Sequence, residues 1–140
     1  MSFLSLFLGG CKDEPALPEA TQIANFLATK NWQTQTTSEG LIYVVDSEGT
    51  GTSFPNKNST VTVKYKGYLL DGTVFDESTS GLRISLQSVI QGWQLGIPKF
   101  KKGGKGKLIF PSSLGYGSQK AGSIPANSPL VFEIELVDFM

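Results

Sequence analysis

The most informative absence in this chain of 140 residues is that of histidine, which does not occur at all. Without histidine, neither a Ser-His-Asp nor a Cys-His relay can activate a nucleophile. A metal site built on imidazole ligands is excluded for the same reason. Any chemistry that the protein performs must therefore work without these two kinds of site.

The chain also lacks an excess of charge of either sign, because 12 Lys and Arg residues balance 12 Asp and Glu residues. A neutral chain gives no electrostatic reason to propose nucleic acid or an anionic membrane surface as a partner. We therefore expect no nucleic-acid binding. A length of 140 residues corresponds to one domain and leaves room for only a modest additional segment.

Five lysines are interleaved with glycines between positions 99 and 107. A phosphate-binding P-loop requires Gly-Lys followed by Ser or Thr. Here Gly104-Lys105 is followed by Gly106, and Lys107 is followed by Leu108, so the motif is absent. The run is typical of a solvated turn, and a weak contact with anionic lipid headgroups stays open if the domain is tethered near a membrane.

The single cysteine, Cys11, follows Leu8-Gly9-Gly10 and a short apolar run. This pattern resembles a bacterial lipobox, in which a signal peptidase cuts before the cysteine and the thiol is diacylated. Residues 1–10 are then a signal segment and Cys11 is the lipidation site. Several acyl chains anchor a protein stably, whereas an apolar stretch this short cannot span a bilayer. We therefore expect a lipid-anchored protein with no membrane-spanning segment.

The residue after the cysteine, Lys12, favours delivery to the outer membrane, so the predicted location is the bacterial cell envelope, on the periplasmic or the surface side. No Lys or Arg precedes the apolar run, and the run is shorter than an ordinary signal sequence. The alternative interpretation is a frayed apolar N-terminus with an incidental thiol at Cys11.

Residues 11–37 have the composition of a short tether followed by a helix. Two prolines, Pro15 and Pro18, interrupt an acidic stretch, and residues 19–30 then place Ile23, Phe26 and Leu27 on one helical face. A helix of about three turns is marginal in water without tertiary packing. We therefore expect it to pack on its own domain rather than to form a dimerisation module, and we expect a monomer.

Residues 61–76 combine a half-buried strand, a tight turn and an aromatic residue next to an acid. Apolar side chains alternate with polar ones from Val61 to Tyr65, which is the pattern of a strand with one buried face. Asp71-Gly72 is expected to supply the positive-φ residues of a hairpin turn. Phe75 and Asp76 follow directly, and the combination points to an apolar pocket.

The remaining pattern from residue 38 to residue 140 predicts a single α+β domain. Strands are expected at 41–45, in the hairpin 61–76, around 107–110 and at 130–139, which gives an antiparallel sheet of about five strands. A short helix at 91–97 is expected to lie across that sheet. In the last strand, apolar residues alternate with Glu133 and Glu135, so one face should be core and the other solvent-exposed.

Five blocks in fixed order then identify a family. They follow the hairpin at 61–76 and are Val-Ile-Gln-Gly-Trp at 89–93, Phe-Pro at 110–111, Leu-Gly-Tyr-Gly at 114–117, Ile-Pro at 124–125 and Leu-Val-Phe-Glu at 130–133. Each block is weak by itself, but over residues 38–140 they together resemble an FKBP-type peptidyl-prolyl cis/trans isomerase. The resemblance implies a strongly twisted sheet wrapped on one short helix.

The resemblance also implies an enzyme that rotates Xaa-Pro bonds of proline-containing polypeptides, without a covalent intermediate, metal or cofactor. Nine positions match the family's pocket. The implied catalytic residues are Tyr65, Phe75, Asp76, Ile90, Trp93 and Tyr116. Three more are expected to bind substrate, and these are Val89, Ile124 and Phe132.

The implied roles differ among these positions. Trp93 should form the floor beneath the proline ring, the backbone N–H of Ile90 and the phenol of Tyr116 should donate to substrate carbonyls, and Asp76 should be a buried carboxylate that accepts a hydrogen bond from Tyr65. Singly, the apolar members could be ordinary core residues, Asp76 a turn residue and Tyr116 a loop marker. Their joint occurrence favours a pocket.

Two points stay open after the resemblance is taken into account. Leu82, Lys120 and Ser123 stand where drug-binding members of the family differ, so binding of macrolide inhibitors is an open expectation. The alternative function is a non-catalytic module that uses the same pocket to hold proline-containing loops of an envelope partner. The complete set of aromatic residues with Asp76 favours the enzyme.

Overall fold

A computed structural model describes residues 17–140 of the chain. Cys11 and the predicted signal segment at 1–10 lie outside the described residues, so the lipidation of Cys11 stays a prediction. Over the described part of the chain, no helix has both the length and the apolar character needed to cross a membrane.

Six antiparallel strands form one sheet in the spatial order β1-β2-β5-β6-β3-β4. The strands are β1 (Gln35–Thr36), β2 (Ile42–Ser47), β3 (Thr60–Leu69), β4 (Val74–Ser85), β5 (Lys105–Phe110) and β6 (Leu130–Phe139). The antiparallel α+β class is as predicted. The additional strand is β1, whose two polar residues pair with the edge of β2 and carry no periodic signal in the sequence.

Strand β4 is longer than the predicted hairpin, which ended at residue 76. Its register changes along β3, because Tyr65 lies opposite Ser78 whereas Val63 lies opposite Leu82. One residue of β3 therefore faces three residues of β4, and this bulge contains Gly81 at φ 102°. A bulge disrupts the alternation of apolar and polar residues, which explains why the sequence pattern did not extend the strand.

The hairpin turn between β3 and β4 differs from the prediction in one respect. Only Gly72 of the Asp71-Gly72 pair has a positive φ, at 93°. The carboxylate of Asp71 instead accepts a hydrogen bond from the backbone N–H of Thr73 at 2.9 Å, and the hydrogen bonds from Thr73 lower the pKa of Asp71. The expectation of a positive φ at Asp71 is therefore wrong, because this residue stabilises the turn through its side chain.

Within residues 17–140, two helices flank the sheet, α1 (Glu19–Ala28) and α2 (Gln91–Gly96). Helix α2 continues into a short 3-10 segment, Ile97–Lys99. The close approach of α2 to β5 depends on Gly92, because a Cβ atom at this position would lie 2.4 Å from the ring of Phe110. Any other residue at position 92 would push α2 away from the sheet.

Alternation along the strands divides the sheet into two faces. The inner face packs against α2 and includes the fully buried side chains Leu41, Val61, Val63, Leu108, Leu130 and Leu136. The outer face carries a smaller buried cluster formed by Ile23 of α1 with Val44, Ile109 and Val131. Helix α1 thus packs on its own domain, as expected.

The alternation predicted for the last strand is confirmed from Phe132 to Leu136, where the apolar side chains are buried, Glu133 is exposed and Glu135 is half-buried. On the outer face, the phenol of Tyr68 donates a hydrogen bond to a carboxylate oxygen of Glu133 at 3.1 Å. Near the start of β6, Val131 on this face is fully buried, because α1 contributes a second apolar layer to the cluster that includes Val131.

Candidate active site

A cavity of about 480 Å³ opens on the inner face of the sheet, between α2, strands β3 and β4 and the loop at 116–124. All nine residues selected from the sequence lie around this cavity. Its volume falls in the range of small-molecule and peptide side-chain pockets. Six further residues complete the lining, and these are Leu82, Ile84, Ser88, Ala121, Gly122 and Ser123.

The floor of the cavity is Trp93, which α2 holds against the sheet with only 4% of its surface exposed. Its ring meets the ring of Tyr65 edge-on at a centroid distance of 5.0 Å and the ring of Phe132 at 5.3 Å. The indole N–H is buried and has no hydrogen-bond acceptor within residues 17–140. Packing against aromatic rings therefore holds this side chain in place.

Phe132 connects the floor to one wall. Its ring lies 5.5 Å from the ring of Phe75 in an edge-on arrangement and 5.8 Å from the ring of Phe110, on which it stacks. Phe110 is fully buried behind Phe132 and does not line the cavity. Phe110 was not among the predicted site residues, although its alternation with Leu108 in β5 places it on the inner face.

Gly67 is a second residue that sequence reasoning missed. In β3 it lies opposite Asp76 on one side and Phe132 on the other. A Cβ atom at this position would lie 2.7 Å from the ring of Phe132 and 2.8 Å from the ring of Phe75. The missing side chain therefore lets both rings lie across the strand. A glycine inside a strand often marks such a close approach, and this was the available signal.

The wall formed by β4 was also only partly predicted. Leu82 and Ile84 line the cavity from the segment beyond the bulge. They alternate along the strand, as residues on one face do. Neither Leu82 nor Ile84 was among the predicted site residues, because the predicted hairpin ended at residue 76.

The predicted hydrogen bond between Tyr65 and Asp76 is present in the structure. The phenol of Tyr65 donates to one carboxylate oxygen of Asp76 at 2.7 Å, and the backbone N–H of Glu77 donates to the other at 2.8 Å. Burial, followed by this hydrogen bond, raises the pKa of Tyr65 to about 12. The carboxylate of Asp76 is exposed rather than buried as expected, since it lies at the rim of the cavity.

Tyr116 lines the cavity from the loop at 116–124 and is 40% exposed. Partial burial, with a smaller contribution from the negative charge of Asp76, raises the pKa of Tyr116. The phenol therefore stays protonated at neutral pH and is available as a hydrogen-bond donor.

The other predicted donor, the backbone N–H of Ile90, lies directly before α2. Ile90 precedes the helix in an extended conformation, and its carbonyl accepts hydrogen bonds from the N–H groups of Trp93 and Gln94. The side chain of Gln94 also donates to the carbonyl of Val89 at 2.8 Å. These contacts fix the backbone of residues 89 and 90 beside the floor. In the described part of the chain, no group of three or more Cys, Asp or Glu residues is placed to hold a metal ion.

Comparison with known proteins gives a consistent result. The sequence profile of the family described as FKBP-type peptidyl-prolyl cis-trans isomerase matches residues 51–137. The FKBP-type peptidyl-prolyl cis-trans isomerase FkpA of Buchnera aphidicola subsp. Schizaphis graminum is 50% identical over 105 residues, which are 73% of this chain and 42% of that protein. FkpA of Escherichia coli strain K12 is 48% identical over 107 residues, which are 74% of this chain and 39% of that protein. The chain thus spans about two fifths of the length of these relatives.

Two solved structures are similar over most of the chain. The crystal structure of FkpA from Escherichia coli aligns with a TM-score of 0.78 at 41% identity, covering 86% of this chain and 58% of that chain. A peptidyl-prolyl cis-trans isomerase from Pseudomonas syringae pv. tomato aligns with a TM-score of 0.74 at 34% identity, covering 90% of this chain and 98% of that chain. Since the family profile matches more than half of the residues, this chain belongs to the FKBP-type peptidyl-prolyl cis-trans isomerase family.

Proposed function

We propose that this protein catalyses the cis/trans isomerisation of Xaa-Pro bonds in polypeptides and that the cavity over Trp93 is its active site. The observation that carries the proposal is the convergence of aromatic side chains from β3, β4, α2, β6 and the loop at 116–124 on one concavity, with the Tyr65–Asp76 hydrogen bond at its rim. Family membership supports the reaction class.

The chemical problem is a rotation rather than a bond cleavage. The barrier to rotation about a peptide C–N bond is about 18–20 kcal/mol, because resonance gives the bond partial double-bond character. For a prolyl bond the cis and trans states differ by only about 0.5–1 kcal/mol, and their uncatalysed exchange takes tens to hundreds of seconds. A catalyst therefore needs to stabilise the twisted amide relative to the planar one, and it needs no nucleophile.

The cavity has the properties that this task requires. Twisting the amide removes resonance and reduces the charge separation between nitrogen and oxygen, so an apolar environment disfavours the planar state more than the twisted state. The rings of Trp93, Phe75 and Phe132 provide that environment, and they are held rigidly by edge-on packing. The roles assigned from the sequence fit this geometry: the proline ring rests on Trp93, while the Ile90 N–H and the Tyr116 phenol donate to substrate carbonyls.

A peptide isomerisation assay tests the proposal. Either the protease-coupled or the NMR-exchange form, with a short Xaa-Pro peptide, should show faster exchange with the purified chain than in buffer. Phe75→Ala should lower kcat/KM by about tenfold to a hundredfold. Without the ring of Phe75 in the cavity wall, the substrate is no longer held in the orientation that the rotation requires. The matched control is Val74→Ala, since Val74 is the preceding residue of β4 and is 45% exposed. Equal rates for the two variants would place the site elsewhere.

The same assay separates the enzyme from the non-catalytic binding module. If the chain binds the peptide but exchange is no faster than in buffer, the binding module is the better description. The full aromatic set and the oriented Asp76 carboxylate support catalysis. Macrolide binding to this cavity is a further proposal, and a macrolide that occupies it should inhibit isomerisation competitively.

We further propose that the chain acts in the bacterial cell envelope, anchored through lipid at Cys11. In this arrangement residues 1–10 are removed, residues 11–37 form the tether with its helix, and residues 38–140 form a monomeric isomerase domain. The lipobox-like sequence supports the anchor. Mass spectrometry of the protein from a native host decides the matter, because an unmodified Cys11 excludes lipidation.

A further inference from the structure

A bidentate contact joins helix α1 to Ser112, which lies four residues before Tyr116. One carboxylate oxygen of Glu19, the first residue of α1, accepts the backbone N–H of Ser112 at 2.7 Å, and the other accepts the Ser112 hydroxyl at 2.6 Å. These residues are 93 positions apart in the sequence. Ser112 is 6% exposed, and hydrogen bonds to a charged acceptor are stronger than those between neutral groups.

Ser112 in turn holds the backbone on both sides of Tyr116. The carbonyl of Ser112 accepts hydrogen bonds from the N–H of Gly115 and from the N–H of Gly117, both at 2.8 Å. Leu114 is anchored nearby, with its side chain in the inner core. Residues 115–117 are therefore held by one residue, Ser112, and Glu19 holds Ser112 in turn.

We propose that Glu19 is a positioning residue for the active site, acting through Ser112 to fix the placement of the Tyr116 phenol at the rim of the cavity. The proposal rests on the proposed function, because it assumes that Tyr116 donates to the substrate. Its physical basis is positional: the carboxylate of Glu19 holds the N–H and the hydroxyl of Ser112, and the carbonyl of the same residue accepts the N–H groups of Gly115 and Gly117.

The helix that carries Glu19 is itself fixed on the sheet. Ile23 lies one turn further along α1 and is buried in the outer cluster with Val44, Ile109 and Val131. The carboxylate is consequently presented from a docked element rather than from a free chain end. A purely structural role is the competing explanation, because an acidic residue in the first turn stabilises a helix through the helix dipole.

A double-mutant cycle separates these two roles. Glu19→Ala should lower kcat/KM by about threefold to tenfold, the range expected for a residue on a coupling network, and Glu19→Gln should restore part of the loss because its amide keeps one oxygen acceptor. In a Tyr116→Ala background, Glu19→Ala should have no further effect. The matched control is Thr29→Ala, which also removes a hydrogen bond of α1, from the Thr29 hydroxyl to the carbonyl of Phe26.

An NMR readout keeps this test independent of catalysis. The ring signals of Tyr116, assigned by their loss in Tyr116→Phe, should shift in Glu19→Ala together with the amides of Gly115 and Gly117, and should stay in place in Thr29→Ala. An equal loss of activity from Glu19→Ala in both backgrounds, or unchanged Tyr116 signals, would overturn the proposal. If the wild-type chain does not accelerate exchange, the proposed function fails, and the NMR shifts alone then decide whether Glu19 positions Tyr116.

Discussion

Each face of the sheet carries a tyrosine that donates a hydrogen bond to a carboxylate, but the two pairs lie in different surroundings. On the inner face, the phenol of Tyr65 donates to Asp76 beside an open cavity. On the outer face, the phenol of Tyr68 donates to Glu133 next to a cluster that α1 contributes to. Both tyrosines belong to β3 and lie three positions apart. Because side chains alternate along a strand, an odd spacing places the two tyrosines on opposite faces, and each tyrosine–carboxylate pair lies in a different environment.

The difference shows how the domain separates stability from function. The outer cluster is small and covered, so a side chain there contributes through burial alone. Helix α2 covers only part of the inner face. The aromatic rings that lie beside the helix form the walls of the cavity. A change on the outer face should alter the free energy of unfolding, whereas a change in the cavity should also alter turnover.

The largest expected effect comes from Trp93→Ala, compared with Ile109→Ala on the outer face. Both side chains are buried, so the free energy of unfolding should fall by about 3–5 kcal/mol for the first and about 2–5 kcal/mol for the second. Denaturant titration measures these losses. The isomerisation assay, corrected for the folded fraction, should show activity nearly abolished in Trp93→Ala and nearly unchanged in Ile109→Ala. Similar activities would erase the distinction between the faces.

A smaller effect is expected from Gly67→Ala, which adds one methyl group where the rings of Phe75 and Phe132 cross β3. Overpacking of this kind costs about 1–3 kcal/mol and displaces side chains, so kcat/KM should fall together with stability. Gly51→Ala serves as the control, since its nearest contacts would lie at 3.4 Å and it does not line the cavity. A fully active Gly67→Ala would mean that the placement of these two rings is unimportant.

The two hydrogen-bonded tyrosines give a finer comparison. Tyr65→Phe removes the donor that orients Asp76, and we expect kcat/KM to fall by about tenfold, since a hydrogen bond to a charged group contributes about 1.5–3 kcal/mol. Tyr68→Phe removes the corresponding donor to Glu133 and should leave kcat/KM unchanged. Steady-state kinetics on both variants provides the measurement. A loss in Tyr68→Phe as large as that in Tyr65→Phe would contradict the assignment.

The smallest effect concerns pH. Burial is the main cause that raises the pKa of Tyr65 to about 12 and raises the pKa of Tyr68, and the neighbouring carboxylates add to it. Because the folded state retains these protons longer than an unfolded phenol with its ordinary pKa of 10.0, the contribution of these two phenols to stability should be constant below about pH 10 and fall from there towards pH 12. The fall should be shallower in the Tyr65→Phe, Tyr68→Phe double variant, as measured by denaturant titration at each pH. Equal slopes would show that these phenols do not titrate as described.

The sequence predicted those parts of the fold that repeat a local pattern. The alternation in β3 and β6 and the helical spacing in α1 each depend on a few neighbouring residues, so the class, most of the strands and both helices were accessible. The nine cavity residues were accessible only through their resemblance to a family. Their spacing along the chain does not by itself bring Trp93 next to Phe132.

The parts that were missed depend on contacts between distant segments. The length of β4 is set by pairing with β3 across a bulge, and the two residues of β1 form a strand only because β2 lies beside them. Gly67 matters because two rings from β4 and β6 approach it. The contact between Glu19 and Ser112 likewise has no local signal, since it exists only after α1 has docked on the sheet.

The most direct test of the separation between the two faces is an NMR titration of the isotope-labelled chain with a short Xaa-Pro peptide, with cis/trans exchange of the peptide recorded in the same samples. We predict that the indole of Trp93 and the amides of Ile90 and Tyr116 shift with peptide, that the amides of Ile109 and Val131 do not, and that exchange becomes faster. Shifts concentrated around Ile109 and Val131, or exchange no faster than in buffer, would contradict the assignment of the cavity as an isomerase site.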